Sequence, residues 1–165
     1  MRRFSELDER EILALAISLE EEHGRIYTEY AEGLKESYPA SARIFTEMGK
    51  EENEHRRWLI ALFQQKFGDH IPLIRRQDVA GFVRHEPIWM VRPLGLEKVR
   101  AQAEDIERET RNFYRSSLER TSDAAIRKLL GDLAVIEDRH VRMAHQLSED
   151  EITADVKASE AHAER

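Results

Sequence analysis

An acidic residue and a histidine interrupt an otherwise apolar helical stripe in the first half of the chain. Residues three and four apart lie on one face of an α-helix. The stripe across residues 45–62 contains Phe45, Met48, Glu52, His55, Leu59 and Leu62. A carboxylate that leaves water costs several kcal/mol unless it pairs with a cation or takes up a proton. The pattern therefore predicts a helix whose buried face contains polar groups that need a partner.

An acid and a tyrosine seven residues apart occur twice, on two other helical stripes. Glu20 precedes Tyr27 in the first of these segments, and Glu107 precedes Tyr114 in the second. The residues around the first pair align with those around the second. The repetition predicts that the two segments occupy equivalent places in the fold.

The Glu-x-x-His spacing is repeated as well. Glu137 and His140, near the end of the chain, match the spacing of Glu52 and His55. Because both motifs occur in both halves of the chain, a whole helical hairpin is present twice. Each acid and each histidine falls in the middle of the apolar stripe of its helix. Four carboxylates and two imidazoles are therefore predicted to point into one core: Glu20, Glu52, His55, Glu107, Glu137 and His140.

Composition limits the alternatives. The 165 residues, 41% of them hydrophobic, are enough for one domain with a core. The absence of cysteine excludes disulfides, thiolate zinc sites and iron–sulfur clusters. A net charge of −7 argues against nucleic acid as a partner and favours cations. No signal peptide and no run of about 18 apolar residues is present, so we expect a cytoplasmic chain that does not itself contact a membrane.

Capping residues and helix breakers predict the limits of four helices. Ser5 with Asp8 is expected to cap a first helix that continues to about Leu34. A second helix is expected from Pro39 to about Phe67. A third is expected over residues 96–120, and a fourth, capped by residues 121–123, is expected to reach at least Leu147.

Short turns near Pro39 and Ser122 make two antiparallel hairpins, and residues 68–95 form a long crossover between them. Prolines and Gly81 break the crossover, although residues 77–85 are expected to form a short helix. The predicted fold is all-α, a four-helix bundle with one long connection, as in ferritin-like folds. The domain is expected over residues 1–150, followed by a polar tail, residues 151–165, that is helical or leads to a membrane domain.

Two Glu-x-x-His helices and two single-Glu helices form the ligand set of di-iron or di-manganese carboxylate bundles. Four carboxylates neutralise two divalent ions, and oxygen donors with one nitrogen suit iron or manganese. The predicted cofactor is a pair of Fe ions, with Mn as the alternative. Glu52 and Glu137 are expected to bridge the ions, and Glu20 and Glu107 to be terminal ligands. Tyr27 and Tyr114 are expected to donate hydrogen bonds to ligating carboxylates.

Simpler interpretations exist for single elements of this pattern. One Glu-x-x-His pair is an ordinary helix-surface contact, a buried histidine is often only a hydrogen-bonded core residue, and the tyrosines could be purely structural. His23 and Glu104 lie one turn from proposed ligands and are candidates for metal contact. Trp58 and Met143 are expected to serve in packing. Acids expected on a solvated face are Glu21, Glu22, Glu51, Glu54 and Asp138.

These motifs resemble those of the rubrerythrin and ferritin-like superfamily. The crossover, HIPLIRRQDVAGFVRHEPIWMVRPLGLEKVRAQAE at residues 70–104, resembles that of the membrane-bound ferritin group, the erythrin–vacuolar iron transporter fusions. In that group a cytoplasmic ferritin-like domain precedes a membrane iron-transporter domain. The resemblance implies iron oxidation or sensing coupled to iron efflux through such a tethered domain, and a homodimer.

Two departures from rubrerythrins weaken a peroxidase assignment. The four cysteines of a rubredoxin-like module are absent, and Thr110 stands where rubrerythrins carry an extra glutamate. The leading hypothesis is therefore a ferroxidase-type domain that binds two Fe(II) ions and oxidises them with O₂. The alternatives are a non-catalytic iron or manganese sensor that regulates a transporter, a rubrerythrin-like peroxidase that uses peroxide, and a purely structural bundle with protonated core acids.

Overall fold

The computed structural model describes residues 1–82, 85, 87, 90, 95–146 and 161. Four long helices form most of the described part of the chain, and the predicted all-α fold, a ferritin-like four-helix bundle, is confirmed. They are α1 (Glu9–Leu34), α2 (Pro39–Phe67), α3 (Leu96–Leu118) and α4 (Ala124–Gln146). None of the helices in the described part of the chain is both long and apolar enough to cross a membrane.

Local sequence explains where the helices begin and end. The Asp8 carboxylate accepts a hydrogen bond from the Glu11 amide, and the Glu11 side chain accepts one from the Asp8 amide. Ser5 was predicted to take part in this cap, but it does not, because it lies in a 3₁₀ turn over Phe4–Glu6. Helix α2 begins at Pro39 as predicted, and Gly68 ends it with a φ of 86°, a conformation that favours glycine.

The predicted ends of the last two helices agree less closely. Helix α3 was predicted to end at about Arg120, but it ends at Leu118. The Asp123 carboxylate accepts hydrogen bonds from the amides of Ala125 and Ile126 at the start of α4, as expected of a cap. Leu147 and the predicted tail, residues 151–165 apart from Ala161, lie outside the described residues.

The crossover differs from its prediction. Arg76–Asp78 form a 3₁₀ turn, after which strand β2 (Val79–Ala80) pairs in parallel with strand β1 (Arg2–Arg3). The crossover therefore contains a short helical turn, but it is limited to Arg76–Asp78: the helix predicted over residues 77–85 is wrong for residues 79–82 and 85, and residues 83–84 lie outside the described part. Val79 is 2% exposed, so the β-branched side chain packs into the core from an extended backbone.

Two apolar layers enclose the middle of the bundle. The first contains Leu13, Leu59, Phe63, Tyr114, Ile126 and Leu130, and the second contains Tyr27, Tyr30, Phe45, Met48, Val99 and Ile106. Along α1, α2 and α3 the acidic and histidine positions fall between these two layers, and on α4 they follow the residues of the first layer. The apolar layers therefore keep water away from a polar layer that crosses the centre of the bundle.

Candidate metal centre

All six residues that were predicted to point into the core are buried. The exposed fraction of each residue is between 0% and 2% for Glu20, Glu52, His55, Glu107, Glu137 and His140. They meet because each helix carries its acid near its midpoint, and because an i, i+3 histidine lies on the same face as its acid. The structure thus brings together residues up to 120 positions apart in the chain.

The six side chains form two groups of four that share two glutamates. One group is Glu20, Glu52, His55 and Glu137, and the other is Glu52, Glu107, Glu137 and His140. Within each group, one candidate ligand atom from every residue lies within 4.8 Å of the others. Glu52 and Glu137 are common to both groups, which is the position that bridging ligands require. Glu20 and Glu107, which were predicted to be terminal ligands, each belong to one group.

The Nδ1 atoms of His55 and His140 face the core carboxylates at distances too long for hydrogen bonds. His55 Nδ1 lies 3.5 Å from Glu20, 3.6 Å from Glu52 and 3.5 Å from Glu137. His140 Nδ1 lies 3.5 Å from Glu52, 3.3 Å from Glu107 and 3.5 Å from Glu137. Hydrogen bonds of this type are about 2.7–3.2 Å long. Each imidazole therefore faces three carboxylates across a gap.

Seven buried atoms of these six residues have no hydrogen-bond partner in the described part of the chain. They are Glu20 Oε2, both Glu52 oxygens, His55 Nδ1, Glu107 Oε2, Glu137 Oε1 and His140 Nδ1. Buried polar atoms without partners are costly and rare. Donor atoms around an ion at about 2.1 Å are on the order of 3 Å apart, close to the spacing seen here. The donor set and its orphaned atoms therefore fit two iron or manganese ions.

Proximity of the carboxylates changes their protonation. Burial, and next the charge of Glu137, raise the pKa of Glu52 well above its ordinary range. Burial, and again the charge of Glu137, raise the pKa of Glu107 to about 8. Burial acts in the same direction on Glu20 and Glu137, but close contacts with neighbouring carboxyl and imidazole groups lower the pKa of each overall.

The core carboxylates favour the cationic form of His55 and His140. Burial opposes their charge, but contacts with Glu137, Glu20 and Glu52 raise the pKa of His55 to about 12. Contacts with Glu107 and other acids raise the pKa of His140 in the same way. Two protonated and two ionised carboxyls with two imidazolium groups give a net charge of zero. Two divalent ions with four carboxylates and neutral imidazoles are also neutral, so metal ions would replace protons.

The two tyrosines donate crosswise between α1 and α3. The Tyr27 hydroxyl donates to Glu107 Oε1, and the Tyr114 hydroxyl donates to Glu20 Oε1. Burial, followed by the charge of the partner glutamate, raises the pKa of both tyrosines well above 10.0, so they remain donors. The predicted hydrogen bonds are present. They hold one oxygen each of Glu20 and Glu107, and the other oxygen, Oε2, has no hydrogen-bond partner among the described residues.

Glu51 was predicted to face solvent, and this is wrong. Its Oε2 atom lies 2.6 Å from His140 Nε2 and 3.2 Å from an Arg139 nitrogen, although 39% of the side chain is exposed. The hydrogen bond with His140 lowers the pKa of Glu51. Helix α2 lies beside α4 at this point, so a residue adjacent to Glu52 reaches the outer edge of a histidine. Helical periodicity within α2 contains no signal for this contact.

Glu22 was also predicted to be solvated, and it is instead part of an ionic cluster. The guanidinium of Arg76, which is 7% exposed, lies 3.0 Å from Glu22 on α1 and 3.5 Å from Glu109 on α3. His85 Nε2 lies 3.5 Å from Glu109. Glu22 and Glu109 are equivalent in the internal repeat, and that equivalence was the one sequence signal for a shared partner. Arg76 thus connects the crossover to α1 and α3 by ion pairs. Its partners lie two residues after Glu20 and Glu107 in the sequence.

Neither candidate for additional metal contact belongs to the two groups found among the described residues. His23 is buried, which lowers its pKa, and its Nδ1 atom lies 3.5 Å from the Thr110 hydroxyl. Glu104 pairs with Arg108 at 2.5 Å. Both side chains therefore have contacts away from the cluster.

The other flanking residues largely follow their predictions. Glu21 is exposed, and Glu54 forms an exposed ion pair with Arg57. Asp138 is half-buried and pairs with Arg111 and Arg142, so its predicted solvated environment is wrong. The Trp58 ring packs against His55, with centroids 5.3 Å apart, yet Trp58 is 42% exposed. Met143 is half-buried.

Comparison with known proteins yields one match. The model of one protein family, described as Rubrerythrin, matches residues 11–148, a range that includes all six core residues. No curated protein and no solved structure matches the chain. The family match does not distinguish subgroups, so the resemblance of the crossover to membrane-bound ferritins stays a prediction.

Proposed function

The chain belongs to the rubrerythrin family, and we propose that it is a non-haem di-iron protein that binds two Fe(II) ions and oxidises them with O₂. One observation carries this proposal. Two groups of four buried ligands share Glu52 and Glu137, and seven of their atoms lack hydrogen-bond partners in the described part of the chain. Such a set is suited to two ions that are held side by side.

Each residue has a distinct role in the proposed centre. Glu52 and Glu137 would be shared by both metal positions. Glu20 and His55 would complete one position, and Glu107 and His140 would complete the other, because the candidate ligand atoms form these two groups. Tyr27 and Tyr114 hold the terminal glutamates by their Oε1 atoms, so that the Oε2 atoms stay directed at the ions.

Iron is the substrate of the proposed reaction. Two Fe(II) ions lose one electron each, and O₂ takes up these two electrons with two protons, so that two Fe(III) ions and one hydrogen peroxide form. The chain contributes the binding site, a water-poor environment between two apolar layers, and carboxyls that hold protons when metal is absent. Since Glu52 and Glu107 must lose their protons to bind metal, iron binding and proton release are linked.

A peroxidase is less well supported than a ferroxidase. The Thr110 hydroxyl donates to the Ile106 carbonyl at 2.8 Å and provides no carboxylate. The chain also contains no cysteine that could hold a redox partner centre. The oxidant in the proposal is therefore O₂.

The first experiment is an anaerobic Fe(II) titration followed by a pulse of air. The wild-type chain is expected to bind about two Fe(II) ions, a stoichiometry that follows from the two ligand groups. The air pulse is expected to produce ferric absorbance faster than in buffer. The double variant Glu52→Gln, Glu137→Gln removes both bridging carboxylates and is expected to abolish tight binding and fast oxidation. Glu54→Gln, an exposed change on the same helix, is the matched control.

The outcomes separate the alternatives. Tight binding of two Fe(II) ions without accelerated oxidation would favour a metal sensor. Failure of the wild-type chain to bind Fe(II) would overturn the proposal and favour a structural bundle with protonated acids. Oxidation at equal rates in the wild type and the double variant would show that the centre is not the site of the reaction.

We also propose where the protein acts. The resemblance of residues 70–104 to membrane-bound ferritins supports a homodimeric domain at the cytoplasmic face of a membrane, tethered to an iron transporter and acting in iron homeostasis. The negative net charge supports metal cations and not nucleic acid as ligands. Sedimentation of the purified chain tests the dimer: a single species of monomer mass would contradict it.

A further inference from the structure

The two histidines of the centre have different contacts on their outer sides. His140 Nε2 lies 2.6 Å from Glu51 Oε2, an oxygen that also lies 3.2 Å from Arg139. His55 instead packs against the ring of Trp58, with the two planes inclined at 39°. The outer side of the His140 imidazole therefore contacts a carboxylate, and that of the His55 imidazole contacts an aromatic ring.

This asymmetry originates in the sequence repeat. Helices α2 and α4 supply matching Glu-x-x-His motifs, but the residues before the two glutamates differ. Glu51 precedes Glu52, and Ile136 precedes Glu137. The repeat therefore supplies both imidazoles of the centre, but only one half has an acid immediately before the glutamate.

The contact with Glu51 determines which nitrogen of His140 faces the centre. An ionised carboxylate only accepts hydrogen bonds, so the proton between the two groups belongs to His140 Nε2. The Nδ1 atom is then available to a metal ion, and it points at Glu52, Glu107 and Glu137 from 3.3–3.5 Å. A carboxylate behind a ligating imidazole fixes the orientation of the ring and strengthens its bond to a metal ion.

We propose that Glu51 is a positioning residue for His140, and that it makes the metal position of Glu107 and His140 fill before the position of Glu20 and His55. This inference rests on the proposed function, because it requires that the six core residues bind metal. It adds an order of filling and a residue outside the six. The two positions of the centre are unequal in affinity although their direct ligands are of the same types.

Co(II), which is stable in air at neutral pH and absorbs visible light, is the probe for the test. The two metal positions are separated with variants that each disable one of them. His55→Gln leaves the position of His140, and His140→Gln leaves the position of His55. Glu51→Gln is then added to each background, and Glu54→Gln serves as the matched control. Circular dichroism verifies that every variant is folded, and Co(II) affinity is measured by calorimetry and visible absorption.

The expected result is selective. Glu51→Gln weakens Co(II) binding about 10- to 100-fold in the His55→Gln background, where the His140 position remains. It leaves the affinity unchanged in the His140→Gln background, and Glu54→Gln changes neither. In the wild-type chain the first Co(II) ion binds more tightly than the second.

Three results would overturn the inference. These are no effect of Glu51→Gln in either background, an equal effect in both, or two wild-type steps of equal affinity. All three leave the proposed function intact, because Co(II) is bound in each. A folded wild-type chain that binds no Co(II) and no Fe(II) overturns the proposed function together with the inference.

Discussion

The Tyr27 hydroxyl donates a hydrogen bond to Oε1 of Glu107, a residue 80 positions further along the chain. The equivalent tyrosine of the repeat, Tyr114, donates back to Glu20 on α1. Each hairpin therefore holds the terminal glutamate of the other. The two hydrogen bonds join α1 to α3 at the level of the candidate metal centre.

Removal of the Tyr27 hydroxyl by Tyr27→Phe leaves Glu107 Oε1 buried without its donor. We expect the free energy of unfolding to fall by about 1–3 kcal/mol. We also expect metal affinity to fall about 10- to 100-fold, because an outer hydrogen bond to a ligand is lost. Denaturant unfolding and Co(II) calorimetry measure the two effects.

Tyr30→Phe is the matched control for this change. Tyr30 is as buried as Tyr27, but its hydroxyl hydrogen-bonds to Gln102, which belongs to neither ligand group. Stability is expected to fall and metal affinity to stay the same. Equal losses of affinity in Tyr27→Phe and Tyr30→Phe would mean that the Tyr27 hydroxyl acts only on overall stability.

The stability of the metal-free protein is expected to decrease as the pH rises from about 5 to 8. The ordinary pKa of Glu107 is 4.5, and the folded chain raises it to about 8. In this window the folded state holds a proton that the unfolded state has released, so a rise in pH favours unfolding. His55, with its pKa raised from 6.5 to about 12, acts in the same direction above pH 6.5.

Bound metal is expected to reverse this trend, since its ligands must lose their protons. Melting temperatures with and without Mn(II) at several pH values measure both effects. Glu107→Gln, which has no titratable group at this position, is expected to flatten the metal-free profile. A metal-free melting temperature that rises from pH 5 to 8 would contradict the protonation pattern described above.

Arg76→Gln is expected to lower the free energy of unfolding by about 1–3 kcal/mol. Removal of one partner of a fully buried ion pair costs about 3–5 kcal/mol. The effect is smaller here because the side chain of Glu22, one of the two paired acids, is 32% exposed. Arg57→Gln breaks an exposed pair with Glu54 and is expected to cost at most about 1 kcal/mol. Similar losses in both variants would show that Arg76 adds no more than a surface ion pair.

Two glycines in helices are expected to respond oppositely to replacement by alanine. A Cβ atom at Gly131 on α4 would meet no atom of the described residues within 4 Å, so Gly131→Ala is expected to stabilise the protein by about 0.5–1 kcal/mol. A Cβ atom at Gly49 would lie 3.3 Å from Thr28 Oγ1 and 3.4 Å from the Gly24 carbonyl oxygen. Gly49→Ala is expected to cost about 1 kcal/mol, because the Thr28 hydroxyl, which donates a hydrogen bond to the Gly24 carbonyl, must shift to make room for the methyl group. Thermal melting compares the two, and stabilisation by Gly49→Ala would show that α1 and α2 can separate.

Much of the fold could be predicted because its signals are local. The start of α2 at Pro39 and its end before Gly68 follow from the restricted φ of proline and the freedom of glycine. The crossover was predicted less well. Residues 76–80 carry no strong periodicity, and their conformation depends on pairing with Arg2 and Arg3, which lie more than 70 residues away.

The sequence alone determined which residues face the core. A period of 3.6 residues places Glu20, Glu52 and Glu107 on apolar stripes, whichever helix packs against them. Because the hairpin is repeated in the sequence, the position of these residues at one level along the bundle axis is also predictable. Only the tertiary structure decided the contacts between separate elements. These are the hydrogen bonds from the tyrosines to the glutamates, the contact of Glu51 with His140, and the ion pairs of Arg76. Those contacts depend on the rotation and spacing of neighbouring helices, which result from packing of the whole core and are not encoded in the periodicity of any single helix.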